Sequence, residues 1–346
     1  MGLREEIREQ PDVMQRLIDD QWPTVQRIGR DLRDRHIDYV FLTARGTSDH
    51  VGLYAKYLWA AHNGLPIALA APSLFSLYGR PPRLDNTLVV GISQSGQSPD
   101  IVGVMEEGRR QGAPTLAIVN APESPLAEAS DWVIDVCAGA ERAVAATKSY
   151  TAELGAVALL SIALSDDPGD RLDAMKRVPD YMAQVLAQEA EVASIAERYR
   201  YMDQCVVLGR GYNYATAYEW ALKLKELTYA VAAPYSSADF QHGPVAMVAH
   251  GFPVLAVMPR GAVHPDLHEL LARLKRQHGV ELLALSNARE TLALADRSVQ
   301  LPVGLPEWLS PLVAIVPGQL FCYYLTKAKG FDTESPRMLS KVTKTA

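Results

Sequence analysis

In the segment AYEWALKLKELTY, Glu219, Lys223 and Glu226 are separated by four and three positions. On a helix that spacing puts all three on one face. A carboxylate placed over two adjacent carbons can carry a proton between them. The same spacing also suits a structural ion-pair stripe, and spacing alone favours that reading. A second cluster has a different chemistry. In VVGISQSGQSPDIVGVMEEG, residues 89–108, an apolar run ends in Ser93, Gln94, Ser95, Gly96, Gln97 and Ser98, and a helical pattern begins at Pro99. Ser before Pro is a strong helix start, with Ser as N-cap and Pro in the first turn. The free N–H groups there, the hydroxyls around them and a glycine that lets the backbone approach a ligand suit a phosphate. Thr47 and Ser48, after another apolar run, add two more hydroxyls. The plainer reading is a capped helix with a polar turn. His242 precedes Gly243-Pro244, which marks a rigid turn. Lys341 stands in a short polar C-terminal segment, where a lysine becomes a nucleophile only if desolvated or set beside another cation.

The elements that must position these residues repeat. The first forty residues space Val13, Met14, Leu17, Ile18, Val25 and Ile28 at helical period. A strand is expected over Tyr39–Thr43, then a helix from VGLYAKYLWAAHNG, strands at TLVVGIS and PTLAIVN, and a helix over residues 99–111 between those two. This β-α-β alternation predicts a parallel sheet covered by helices. The second half repeats the plan. QCVVLGRGYNYATAYEWALKLKEL parallels DYVFLTARGTSDHVGLYAKYL, and KRQHGVELLALSN parallels RRQGAPTLAIVN, at an offset of about 165 residues. Two tandem α/β domains are expected, 1–195 and 196–346, with the boundary in the charged helical stretch of residues 165–200. The duplication is unequal: GISQSGQSPD in the first half stands against AVMPRGAVHPD in the second. Since the second copy turns without the serines, the hydroxyls are expected to serve more than folding.

Composition bounds the function. The chain has 346 residues, 48% of them hydrophobic, and 34 Lys and Arg against 40 Asp and Glu. That balance argues against nucleic-acid binding through bulk charge. No apolar run of about 20 residues stands out as a membrane span. Cys137, Cys205 and Cys322 are scattered, which suits a reduced, cytoplasmic protein and no zinc framework. No signal-peptide core is visible at the N-terminus.

GISQSGQSPD resembles the phosphate loop of the sugar isomerase (SIS) domain family. The resemblance extends through EIREQP, RGTS, ATKSYTAEL, GRGYNYATAYEWALKLKELTY, QHGPVAMV and SPRMLSKVT, in the order found in the isomerase half of glucosamine-6-phosphate synthase. It implies two tandem SIS domains, each a doubly wound, Rossmann-like parallel sheet flanked by helices, followed by a C-terminal tail. It implies a phosphate site at Thr47, Ser48, Ser93, Gln94, Ser95 and Ser98, with Glu141, Val144 and Thr147 beside the sugar. Glu226 matches the family's proton-transfer glutamate, and Glu219 and Lys223 match positions that tune or orient it. His242 matches the histidine that opens the sugar ring, which in those relatives reaches the site from the partner subunit, so a homodimer is implied. Lys341 matches a tail lysine that can form a Schiff base with the open-chain ketose. Neither a metal nor an organic cofactor is required by this chemistry, and no nucleic acid or membrane partner is implied.

The synthase also carries a glutaminase domain with an N-terminal Cys nucleophile, which this sequence lacks. A stand-alone isomerase half is expected to release free ammonia, as SIS-type amino-sugar-phosphate deaminases do: glucosamine 6-phosphate to fructose 6-phosphate. Ala146 replaces a family serine, Arg45 a cysteine and Ser98 a threonine, so the sugar is less fixed than the phosphate. Galactosamine-6-phosphate deamination, fructosamine-6-phosphate deglycation and plain aldose–ketose isomerisation remain alternatives. So does a non-catalytic sugar-phosphate-binding regulator.

Overall fold

The computed structural model describes residues 2–341; the last two residues of SPRMLSKVT lie outside them. Among the described residues β1 (Tyr39–Thr43), β2 (Ile67–Leu69), β3 (Thr87–Ser93), β4 (Thr115–Val119) and β5 (Trp132–Asp135) form one sheet in the order β2-β1-β3-β4-β5. A second sheet is built from β6 (Gln204–Gly209), β7 (Val231–Ser236), β8 (Pro253–Val257), β9 (Glu281–Ser286) and β10 (Arg297–Gln300), in the order β10-β9-β8-β6-β7. All pairings are parallel. Read from its other edge, the second order repeats the first, and equivalent strands begin about 165 residues apart. The duplication read from the turns is therefore a duplication of topology.

Packing divides the chain into two compact units. The carboxy-terminal unit takes in the residues up to Arg8, Arg142–Thr147 and Val178–Leu339, and the amino-terminal unit takes Glu9–Glu141, Lys148–Arg177 and the chain from Ser340. Helix α1 (Leu3–Arg8) belongs to the carboxy-terminal unit. The amino-terminal unit holds α2 (Gln10–Arg33), α3 (Thr47–Asn63), α4 (Ser73–Ser76), α5 (Pro99–Arg110), α6 (Pro125–Glu128), α7 (Lys148–Ala163) and α8 (Gly169–Lys176). The carboxy-terminal unit holds α9 (Val178–Leu186), α10 (Glu189–Arg198), α11 (Tyr214–Thr228), α12 (Ser237–Phe240), α13 (His264–His278), α14 (Arg289–Leu294) and α15 (Ser310–Ala328).

Strands covered by helices on both faces must be apolar throughout, so β3 and β4 are buried almost end to end. Val89, Ile101, Val104, Met105 and Leu126 fill the core between β3, β4, α5 and α6. Val206, Val254, Leu267, Leu271 and Leu282 do the same in the other unit. Each unit also has one helix buried along most of its length, α7 against α2 and α3, and α15 against α9, α10 and α11. The span Glu307–Ala328 is long and apolar enough to cross a membrane by length and composition, which corrects the expectation that no such run exists. It is the core helix of its unit, with 89% of its apolar window buried inside the protein.

Candidate active site

In a sheet ordered β2-β1-β3-β4-β5 the chain winds in opposite directions on either side of β1 and β3, which opens a crevice beyond their carboxyl ends. The two hydroxyl clusters occupy that place. Thr47 and Ser48 open α3 directly after β1, and Ser93–Ser98 join β3 to α5. Two helix N-termini therefore meet the same crevice. Gly46 caps α3 at φ +55°, a conformation that favours glycine. Gly96 is at φ +61°, and a Cβ there would stand 2.0 Å from the Ser124 Oγ. That Ser124 hydroxyl is buried and makes no hydrogen bond among the described residues.

The serines shape the loop. Ser93 Oγ accepts the Gly96 N–H at 3.1 Å and Ser95 Oγ the Gln97 N–H at 3.4 Å, while Gln94 contributes its carbonyl to the Asn120 N–H. Ser98 has the extended backbone of an N-cap, but its side chain makes no capping bond, so the expected cap is one of position only. Arg45 is committed to the loop's framework. Its Nε and Nη2 lie 2.8 and 2.7 Å from the buried Asp100 carboxylate in the first turn of α5, tying the end of β1 to that helix. Ser48 Oγ donates to Glu153 of α7 at 3.1 Å.

Lys341 lies in this same unit. Its Nζ is 2.7 Å from Oε2 of Glu141, whose side chain is fully buried. Glu141 also accepts the Ser149 hydroxyl at 2.8 Å and the Ser149 N–H at 3.2 Å. The tail lysine is thus an ion-paired ammonium at a buried carboxylate. Nearby, Lys148 pairs with Glu9 at 2.6 Å.

In the carboxy-terminal unit α11 carries the acidic-basic face. Lys223 Nζ stands 3.3 Å from Glu219 Oε1 and 2.6 Å from Glu226 Oε2. Glu219 is sealed from solvent, whereas the Glu226 side chain is 21% exposed, so only Glu226 can meet a ligand. Burial pulls the Lys223 ammonium down, but the attraction of Glu219 and Glu226 outweighs it and holds its pKa above the ordinary lysine value. The helix ends at Tyr229 in the left-handed region, φ +58°. His242 is exposed in the turn after α12. Val144 is half-buried in the segment Arg142–Thr147. Glu6 of α1, fully buried, accepts the Arg142 and Ala143 N–H groups and so holds that segment by its backbone. Among the described residues no group of three or more His, Cys, Asp or Glu is placed to hold a metal ion.

The sequence profile of the SIS domain matches residues 34–163 and 200–326, each stretch enclosing one of the two sheets. The chain belongs to the SIS domain family. It is 33% identical over 340 residues to the isomerizing glutamine–fructose-6-phosphate aminotransferase of Aquifex aeolicus (strain VF5), covering 97% of this chain and 56% of that protein. The chain therefore spans little more than half of that relative. A solved chain from Silicibacter pomeroyi DSS-3, provisionally described as a phosphosugar isomerase, is 33% identical with a TM-score of 0.86, covering 96% of this chain and all of the other. A glucosamine-6-phosphate deaminase from Thermotoga maritima shares the fold along the full length of both chains at a TM-score of 0.77 and 19% identity.

Within this SIS chain the structure adds residues that sequence reading passed over. Glu6 and Glu9 both lie in EIREQP, and Glu153 lies in ATKSYTAEL. Their motifs are visible in the sequence, but the partners they meet are 136, 139 and 105 residues away. Asp100 and Ser124 carried no signal beyond their place at a helix start.

Proposed function

We propose that this SIS protein is an amino-sugar-phosphate deaminase that converts glucosamine 6-phosphate to fructose 6-phosphate and ammonia. The observation that carries the reading is the Glu226 carboxylate, partly exposed and held 2.6 Å from a buried lysine whose charge Glu219 secures. A carboxylate oriented in this way can take a proton from C2 of the open-chain sugar and return it to C1. The aldehyde with its C2 amine becomes an enaminol and then a ketimine, and water adds to the ketimine carbon to release ammonia and leave the ketone. Ser93, Gln94, Ser95 and Ser98, with Thr47 and the backbone N–H of Ser48, whose hydroxyl is spent on Glu153, hold the phosphate, where several hydrogen bonds to a charged group contribute about 1.5–3 kcal/mol each. Val144 lines the sugar and Lys341 orients it. Ring opening falls to His242 of the partner subunit in a homodimer. The relative named for an isomerizing activity supports the proton shift, and that protein extends well beyond the part this chain matches.

Ammonia and fructose 6-phosphate released from glucosamine 6-phosphate give the test. Glu226→Gln is expected to lower turnover by about 10²–10⁴-fold with KM little changed. Ammonia release at the parent's rate would refute the assignment of Glu226. Turnover of galactosamine 6-phosphate, a fructosamine 6-phosphate or a plain ketose phosphate in place of glucosamine 6-phosphate would replace the substrate and keep the carboxylate. Binding of the whole panel without turnover would make the protein a sensor.

A further inference from the structure

The carboxy-terminal unit has its own switch point, beyond the ends of β6 and β8, and a group from the same chain fills it. The loop from Met258 to Val263 leads into α13 as Ser93–Ser98 leads into α5. Here the N-cap is Val263, whose side chain has no acceptor to offer. The Glu307 carboxylate supplies one: Oε2 accepts the Ala262 N–H at 2.8 Å, and Oε1 lies 3.5 Å from the Val263 nitrogen. It sits so close to Gly261 that a Cβ there would fall 2.0 Å from the Glu307 carboxyl carbon. On the other side of the loop Asn287 Oδ1 accepts the Arg260 N–H at 2.7 Å, and the Arg260 guanidinium is already taken by Glu290 at 3.0 Å. The carboxylate takes the two amides that lead into α13, at the positive end of its dipole, where an anion is favoured.

The backbone of Glu307 is tied to the helix that carries Glu219, Lys223 and Glu226. Its carbonyl accepts the Ser310 hydroxyl at 2.6 Å, and Ser310 Oγ accepts the Asn213 Nδ2 proton at 2.7 Å. Asn213 Oδ1 then accepts the Thr216 hydroxyl at 3.0 Å, in the first turn of α11. Asn213, Thr216 and Ser310 are all buried, so a slip of the 307–310 segment would strand polar atoms inside the unit.

We infer that Glu307 is an internal anion: it occupies the position a bound phosphate or carboxylate would take in this second crevice, and it thereby fixes the start of α11. Glu307 is a positioning residue, and its role does not depend on which sugar phosphate is turned over. While it is in place, the crevice takes no external anion.

Formate supplies the missing carboxylate in the test. Parent and Glu307→Ala are melted in chloride and in formate at equal ionic strength. The variant is expected to melt roughly 5–10 °C lower in chloride. Formate should restore at least half of that loss along a saturating curve and leave the parent unmoved. Gly261→Ala evicts the carboxylate without deleting it, so it should melt lower as well, and formate should not rescue it because the new methyl fills the space. The two losses should then fall short of adding in the double variant. Equal formate response in parent and variant, no response in either, or additive losses would each overturn the inference. If Glu307→Ala does not fold in chloride, refolding yield becomes the readout: formate-dependent recovery supports the internal anion, and failure with and without formate overturns it.

Discussion

Lys223→Met asks whether α11 is held by charge. The Lys223 ammonium stands 3.3 Å from Glu219 and 2.6 Å from Glu226, with its side chain 2% exposed and that of Glu219 fully buried. Water cannot take over the solvation of what remains when the charge goes. Methionine keeps most of the side-chain volume, so the loss is electrostatic and not a cavity. Breaking a buried pair by removing one partner costs about 3–5 kcal/mol. Glu226 reaches solvent and can turn toward it, so its share is at most about 1 kcal/mol. The expected penalty is therefore set by Glu219. In a unit of this size it corresponds to a melting temperature lower by roughly 10 °C. Urea unfolding followed by tryptophan fluorescence is a suitable assay, since Trp220 is buried on the same helix. Glu219→Gln together with Lys223→Met removes the stranded charge along with its partner and should recover most of the loss. A penalty below about 1 kcal/mol for Lys223→Met, or a double variant no more stable than the single one, would refute the reasoning. The pair also fixes the alkaline limit. A lysine whose folded pKa is raised contributes its stability in full below the ordinary value of 10.5, and loses it as pH rises through the higher folded value.

Three further outcomes follow from named positions. Gly96→Ala should weaken sugar-phosphate binding at least tenfold, measured by calorimetry, because the loop needs φ +61° and the added methyl would collide with Ser124. Gly46→Ala, at φ +55° and ψ −127° with open space around it, should show only the backbone cost of about 1–3 kcal/mol in urea unfolding. On acidification, burial holds the folded-state pKa of His62 and of His264 below 6.5. The unfolded chain binds those protons first, so the urea midpoint should fall as pH drops below 6.5, and His264→Gln should flatten that fall.

Much of the first unit was legible because its signals are local. The β1 run is bounded by charge on one side and Arg45-Gly46 on the other, and the strand forms over Tyr39–Thr43 as read. Ser98-Pro99 marks the start of α5 for the same reason. The duplication could be read because it preserves turn residues along with apolar pattern. What escaped depends on partners distant in the chain. Glu6 meets Arg142 across 136 positions, and Lys341 meets Glu141 across 200. No local period encodes such a pairing. Pro311 and Pro317 interrupt the apolar span that forms α15, and proline is ordinarily a poor helix residue. Pro311 falls in the first turn, where its missing N–H costs nothing, and Pro317 is carried inside a helix clamped by the packing of α9, α10 and α11. Which hydroxyls bond to the loop was also beyond the pattern: Ser93 and Ser95 do, while Ser98 makes no capping bond.

A duplicated α/β unit presents two switch points, and at each the amides of the loop that leads into a helix need acceptors. The two units meet that need with different chemistry. After β3, the hydroxyls of Ser93 and Ser95 accept from Gly96 and Gln97. A hydroxyl that accepts still has its own proton to donate, so this loop can satisfy itself and still turn donors outward. After β8, the acceptor is the Glu307 carboxylate, brought from 45 residues further along the chain. An ionised carboxylate has no proton to donate and repels a second anion. On the proposed function one crevice takes a phosphate, and on the inference drawn for Glu307 the other rejects it, on the same strand order. Net charge does not decide the matter, since a chain at −6 would by itself repel any sugar phosphate. The choice between a hydroxyl and a carboxylate as the acceptor at a helix start does.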